Sequence, residues 1–314
     1  MENPFKSKVI TAYDYKLVDI SEFYVPFRLD EEELEESLLS VRKKYAYMSP
    51  VDTIEEGDFA TLCCLSENKR FRKDSVTVCV GKKLYSRKLE AGLVGMSVGE
   101  SRQLEAENAS VQVTVEKVER KVLPELDDAF VAANFESVKT VEELKNWYID
   151  RQRENHLMSQ AALAAEYISE ETIKKSNLVI DENERQQERK KAEQIVRQMW
   201  EFNGVPIDTM SDEQAQELTG YPSAEAYLNW FADACEQELS ASVLGYHILC
   251  EGGTPLTEEM YEKELESVAA EAGTPVEEMR KQYRFETFAH QKSAEYFSEM
   301  LQDYAYKKIK ENTK

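Results

Sequence analysis

Gly95-Met96-Ser97-Val98-Gly99 is a literal G-x-S-x-G, the spacing that presents a nucleophilic serine at a sharp strand-to-helix turn. Such a serine needs an imidazole base and an acid to orient it, and no histidine precedes His156. The pentapeptide also falls between two stretches that read as β-strands, so hydrolase chemistry is set aside. His247 and Cys250 stand three apart on a helical stretch, but no third ligand has matching spacing. They read as a packed core pair, and no metal or other cofactor is expected. Cys63 and Cys64 are adjacent in a strand and point to opposite faces, which suits structural thiols rather than a redox pair. His156 and His290 stand alone on polar helix faces and read as solvated. There is no phosphate-cradling glycine loop. No residue is assigned a catalytic role.

One cluster stands above this background. Between Ser66 and Lys88, eight cations (Lys69, Arg70, Arg72, Lys73, Lys82, Lys83, Arg87, Lys88) are accompanied only by Glu67 and Asp74. The segment reads either as the solvated rim of a hairpin or as an electrostatic contact for an acidic partner or the chain's own acidic region. It is opposite in sign to the whole. The 314 residues carry 61 acidic and 39 basic side chains, a formal charge of -22. A field of that sign repels phosphate backbones and anionic lipid surfaces, so neither nucleic acid nor membrane is expected as a partner. Five cysteines without C-x-x-C spacing suit a reducing compartment. No apolar run approaches a membrane span and the start MENPFKSKVI has no apolar core, which together read as a cytoplasmic protein.

The elements that must position these residues fall into two textures, an α+β pattern in three stretches: 1–50, 51–122 and 123–314. Residues 13–29 mix aromatic and β-branched types and read as an extended lead-in. Asp30 with Glu33 then opens a helix carrying Leu34, Leu38, Val41 and Tyr45 on one face. From Glu55 to Val122, short apolar runs alternate with turn clusters and predict a small antiparallel β-domain. Val111, Val113, Val115 and Val118 line the core side of its last strand. Beyond Leu123-Pro124 the helical period takes over. Start signals at Thr140, Asp181, Ser211, Ser223, Thr257 and Thr274-Pro275 predict about six helices with no strands between them. Charge follows the same division: residues 1–122 carry 19 basic and 22 acidic side chains, residues 123–314 carry 20 and 39. Aromatic and methionine stripes on these helices, mostly core by their spacing, also offer adaptable apolar surface. Trp147, Tyr148, Met158, Met199, Trp200, Phe297 and Met300 are the candidates for such a binding surface.

Four segments resemble trigger factor, the bacterial chaperone family in which an FKBP-type isomerase domain precedes a helical, crevice-forming domain. They are Asp30 to Asp52, Glu56-Gly57-Asp58, Glu90 to Glu100 and Leu123 to Phe130, and the resemblance spans about residues 25–310. It implies an ATP-independent chaperone for unfolded or nascent polypeptides. Its parts would be an N-terminal segment and linker helix (1–50), an FKBP-like domain (51–122) and an extended helical chaperone domain (123–314). The family's G-F-R-x-G-K-x-P loop is missing, which implies no ribosome docking by the usual route.

The resemblance also implies a prolyl-binding cup, a dry aromatic pocket that lowers a rotation barrier of about 18–20 kcal/mol. Alignment on Gly81 and Gly95 places Tyr85 and Ser86 at its rim, Leu89 at its usually aromatic floor and Cys64 where an aromatic residue is usual. Phe71 keeps one aromatic wall, and Arg72 follows where an acidic residue is common. The loop before the last strand has shrunk to about Glu105–Ala109. The expectation is a retained fold with weak or absent isomerase activity; the alternative is an active isomerase with a remodelled pocket around Phe71 and Tyr85.

Overall fold

The structure is a computed structural model that describes residues 3–313. Backbone contacts divide it into two compact units, one formed by Arg28–Arg153 and the other by the residues up to Phe27 with those from Glu154 onward. The architecture is α+β. Among the described residues, no helix is long and apolar enough to cross a membrane.

In the first unit, α1 (Glu31–Lys44) starts where Asp30 accepts the Glu33 N–H at 3.0 Å, and basic Arg42, Lys43 and Lys44 complement its C-terminal dipole. The sheet comprises β2 (Tyr47–Pro50), β3 (Phe59–Leu65), β4 (Lys73–Cys79), β5 (Ser101–Ala106) and β6 (Ala109–Val122), all antiparallel. The order is β2-β6-β3-β4, with β5 on another part of the long β6. Val111, Val113, Val115 and Val118 are all buried. The three-residue step from Val115 to Val118 keeps both inward because the register shifts there: Leu62 faces Val115 while Thr61 faces Lys117, leaving Glu116 as an extra residue. Helix α2 (Arg87–Leu93) lies on this sheet through Leu89 and Leu93. Buried Asp58 takes a bidentate pair from Arg120 (2.7 and 2.8 Å) and the Glu55 N–H (2.8 Å); Arg120 holds its carboxyl below the usual range. A separate small core joins Leu38 of α1 to Val131 of α3 (Asp128–Asn134), Val138 and Leu144.

Helix α4 (Val141–Lys175) begins in this unit and ends in the other. The second unit continues with α5 (Glu182–Phe202), α6 (Asp212–Thr219), α7 (Ala224–Glu251), α8 (Glu258–Glu271), α9 (Val276–Gln282) and α10 (Phe285–Asn312). Caps form as the sequence predicts at Asp181, Ser211, Ser223 and Thr257. Thr274 does not cap α9; Pro275 holds that position with no side-chain bond.

Two further expectations are corrected. Eight helices follow Leu123 among the described residues, and a strand, β7 (Asn177–Val179), stands between two of them. Its antiparallel partner is β1 (Lys8–Thr11), which sets that stretch in the helical unit. Buried Glu184 secures this strand by accepting the backbone N–H groups of Lys6 (2.7 Å) and Ser7 (2.8 Å). Phe5 packs with Leu239 and Val243 and stacks on His290 at 4.2 Å. His290 is therefore not solvated, and burial lowers its pKa. The compact units consequently differ from the division at residues 50 and 122. The first residues pair with β7, while α1 shares a core with the start of α4.

The main helical core joins Ala161, Ala164 and Ile168 of α4 to Leu244 of α7 and Phe297 and Leu301 of α10. Its tightest point is Gly245. A Cβ there would stand 2.1 Å from the Ser293 carbonyl oxygen and 3.0 Å from Phe297 Cβ. Because the obstruction is backbone, the two helices must separate to admit even a methyl group. Gly245→Ala is expected to destabilise the helical unit by on the order of 3 kcal/mol, read by denaturant unfolding, despite alanine's better helix propensity.

Candidate functional site

The residues placed at a prolyl cup lie together, but as a filled core. Phe71 is 2% exposed, and Cys64 and Leu89 are fully buried in the cluster that includes Leu62, Met96 and Val113. Tyr85 stands edge-on to Phe71 with centroids 5.8 Å apart, and its hydroxyl is buried without a hydrogen-bond partner. Ser86 is no rim residue. It is buried, and its hydroxyl accepts the Leu89 N–H at 3.2 Å as the N-cap of α2.

Glu90, also buried, accepts N–H groups from Lys83 (2.6 Å), Tyr85 (2.9 Å) and Ser86 (3.4 Å), fixing the whole approach to α2. Phe71, Cys64 and Leu89 are packed on every side by neighbouring core residues. The G-x-S-x-G segment follows α2 directly, with Gly95 at φ +83°, so it is a helix-to-strand turn rather than the strand-to-strand turn expected or the reverse order a nucleophile needs. His247 and Cys250 are likewise no core pair: Cys250 is exposed and His247 Nε2 lies 3.3 Å from Glu251.

The client-binding candidates separate by burial. Phe297 is 1% exposed and packs across Gly245, so it is core and offers no surface; this corrects its assignment. Met300 is half-buried against the same core. Trp147 is exposed beside Tyr148, with the Arg151 guanidinium 5.3 Å from its ring, and Tyr148 backs onto the small core of the first unit. Met158 is exposed on α4, and Met199 on α5.

Trp200 leads to a group that the stripe reading missed. Its ring stands 6.3 Å from Tyr227 of α7, which stacks on Trp230 at 5.7 Å, while Tyr221 reaches both at 5.5 and 5.2 Å. Phe202 (92% exposed), Ile195, Met199, Leu218 and Trp230 are apolar side chains exposed on these same helices. The signal was Tyr227-x-x-Trp230, two aromatics one helical turn apart, following the Tyr221-Pro222 turn.

All eight cations of the basic segment are exposed, and among the described residues none has an ion-pair partner.

Burial pushes the Cys64 thiol up to about 11 from an ordinary 9.0. The folded state therefore holds that proton more tightly than the unfolded chain. Its stabilising contribution is full below pH 9 and lost as pH rises through about 11. Denaturant titrations are expected to show stability falling across that window, with a shallower fall in Cys64→Ala. At neutral pH a maleimide should label exposed Cys250 in the folded protein and reach Cys64 only on unfolding.

Searched as a whole, the chain matches no family model. Part of it is similar to curated trigger factors. That of Nocardia farcinica (strain IFM 10152) is 27% identical over 201 residues, 58% of this chain and 43% of the relative. That of Nocardioides sp. (strain ATCC BAA-499 / JS614) is 26% identical over 207 residues, 60% and 43%. That of Caldicellulosiruptor bescii is 30% identical over 162 residues, 45% and 36%. Each match spans less than half of the relative's own length. A solved trigger factor chaperone, described for promiscuous substrate recognition in folding and assembly activities, aligns with 97% of this chain and 73% of its own at 16% identity and a TM-score of 0.41. The sequence matches make the chain trigger factor-like.

Proposed function

We propose that the protein is an ATP-independent chaperone of the trigger factor type that binds unfolded or partly folded polypeptides, with residues 51–122 serving as an FKBP-like domain of degenerate isomerase function. The observation that carries the reading is the aromatic group in which exposed Trp230 packs with half-buried Tyr221 and Tyr227, together with exposed Phe202 and Met199 on α5, in a strongly acidic helical region. Aromatic and methionine side chains accommodate many sequences because they bury large area with few constraints on partner geometry. A charge of -22 favours solubility when such a surface is loaded. Similarity to trigger factors supports the same class of client. The buried state of Phe71, Cys64 and Leu89 supports loss of isomerase function, since catalysis needs an open apolar cup.

The double variant Phe202→Ser, Trp230→Ser tests the site. Both side chains are exposed, so folding stability should shift by no more than about 1 kcal/mol. Suppression of aggregation of a chemically denatured client should fall by about tenfold in effective concentration, as expected when central aromatic anchors are lost. Undiminished protection by the folded variant would move client binding away from this group.

A further inference from the structure

We propose that the basic turn at 69–73 and the loop 82–88 form a second polypeptide-docking surface, specific for extended acidic segments that carry an apolar side chain. Three features of the loop lead there. Leu84, between the cations, is 85% exposed. Lys83 adopts φ 59°, the left-handed region that a residue with a side chain enters only at a cost. The buried carboxylate of Glu90 holds that conformation by receiving three consecutive-region N–H groups, from Lys83, Tyr85 and Ser86. A solvated rim needs none of this. Here a buried anion and a strained backbone fix a loop whose outward product is a leucine among lysines.

The Phe71–Tyr85 contact sets the basic turn beside this loop, and the Arg70 guanidinium covers the Phe71 ring at 5.2 Å. Seven unpaired cations (Lys69, Arg70, Arg72, Lys82, Lys83, Arg87 and Lys88) thus flank one apolar contact point.

Charge selects the occupant. Acidic side chains complement the cations, and an apolar neighbour covers Leu84. Phosphate backbones would match the cations but leave Leu84 unused, and the net charge of -22 repels them at longer range. The same net charge disfavours a second copy. The inference rests on the polypeptide-binding reading and names a different surface and a narrower class of segment.

The probe is a fluorescein-labelled peptide of about twelve residues, Asp- and Glu-rich with a central Leu-Phe pair, titrated with the full chain and followed by anisotropy. Comparators are a Ser-for-acid peptide of equal length and a single-stranded uridine oligonucleotide. The acidic peptide should bind best, weakening severalfold between about 50 and 300 mM salt. Replacing Lys82, Lys83, Arg87 and Lys88 by Gln should weaken binding by about tenfold and flatten the salt dependence, with the circular dichroism unchanged because exposed charges contribute little to stability. Leu84→Ser should weaken binding severalfold and keep the salt dependence.

No binding of the acidic peptide, equal binding by the Gln variant, preference for the oligonucleotide, or a Gln variant that alters only self-association would each overturn the assignment. Client protection in the Phe202/Trp230 variant reports on the helical surface alone, so the two readings fail separately.

Discussion

The helical unit depends on one close approach, that of α7 to α10 at Gly245. With no side chain at that position, the Ser293 carbonyl comes within 2.1 Å of where a Cβ would stand, and Phe297 closes over the gap. This contact fixes the position of two 28-residue helices, and α4 meets them through alanines at 161, 164 and 165. Small residues at the crossing let large ones interdigitate beside it, which is how a helical core reaches the density of an organic crystal. Once Leu244, Phe297 and Leu301 fill that interior, apolar residues on other helix faces have no interior left to occupy. Trp230 and Phe202 lie outside that core and are exposed. The proposed binding surface is the remainder of a core that is already complete.

Buried carboxylates perform a comparable task in polar form. Asp58 ties Arg120 of β6 to the turn before β3, Glu90 shapes the loop before α2, and Glu184 holds the backbone of Lys6 and Ser7. Each would be costly to bury alone and is tolerated because its oxygens are occupied by N–H donors. Asp58 and Glu90 lie in two of the segments that carry the resemblance to trigger factor, and their hydrogen bonds supply a physical reason for those residue types at those places. In both cases the acid organises backbone through N–H donors.

Local signals in the sequence were legible. Asp30, Asp181, Ser211, Ser223 and Thr257 cap helices because a short polar side chain and the first turn are neighbours whatever surrounds them. The core face of β6 was readable too, and the bulge at Glu116 explains the one break in its period. Pairings across long sequence separation were not. β1 and β7 lie about 170 residues apart, and a three-residue strand between helices has no period of its own. Phe297 and Phe202 carry the same side chain on helices, and it is residues far away in the chain, among them Leu244 and Gly245, that make the first interior. The sequence brings Phe71, Cys64, Tyr85 and Leu89 to attention, but whether such residues surround a space or fill one is a property of packing. Cys64 and Leu89 pack into the core of the sheet unit.

A chaperone that holds clients without turning prolyl bonds is the central claim. Its most direct test measures two activities on one preparation of the full chain: delay of aggregation of a chemically denatured client, and cis-trans isomerisation of a proline-containing peptide. The account predicts protection at near-stoichiometric ratios, with isomerisation no faster than the uncatalysed process of tens to hundreds of seconds at about 25 °C. Rapid isomerisation without protection would contradict it.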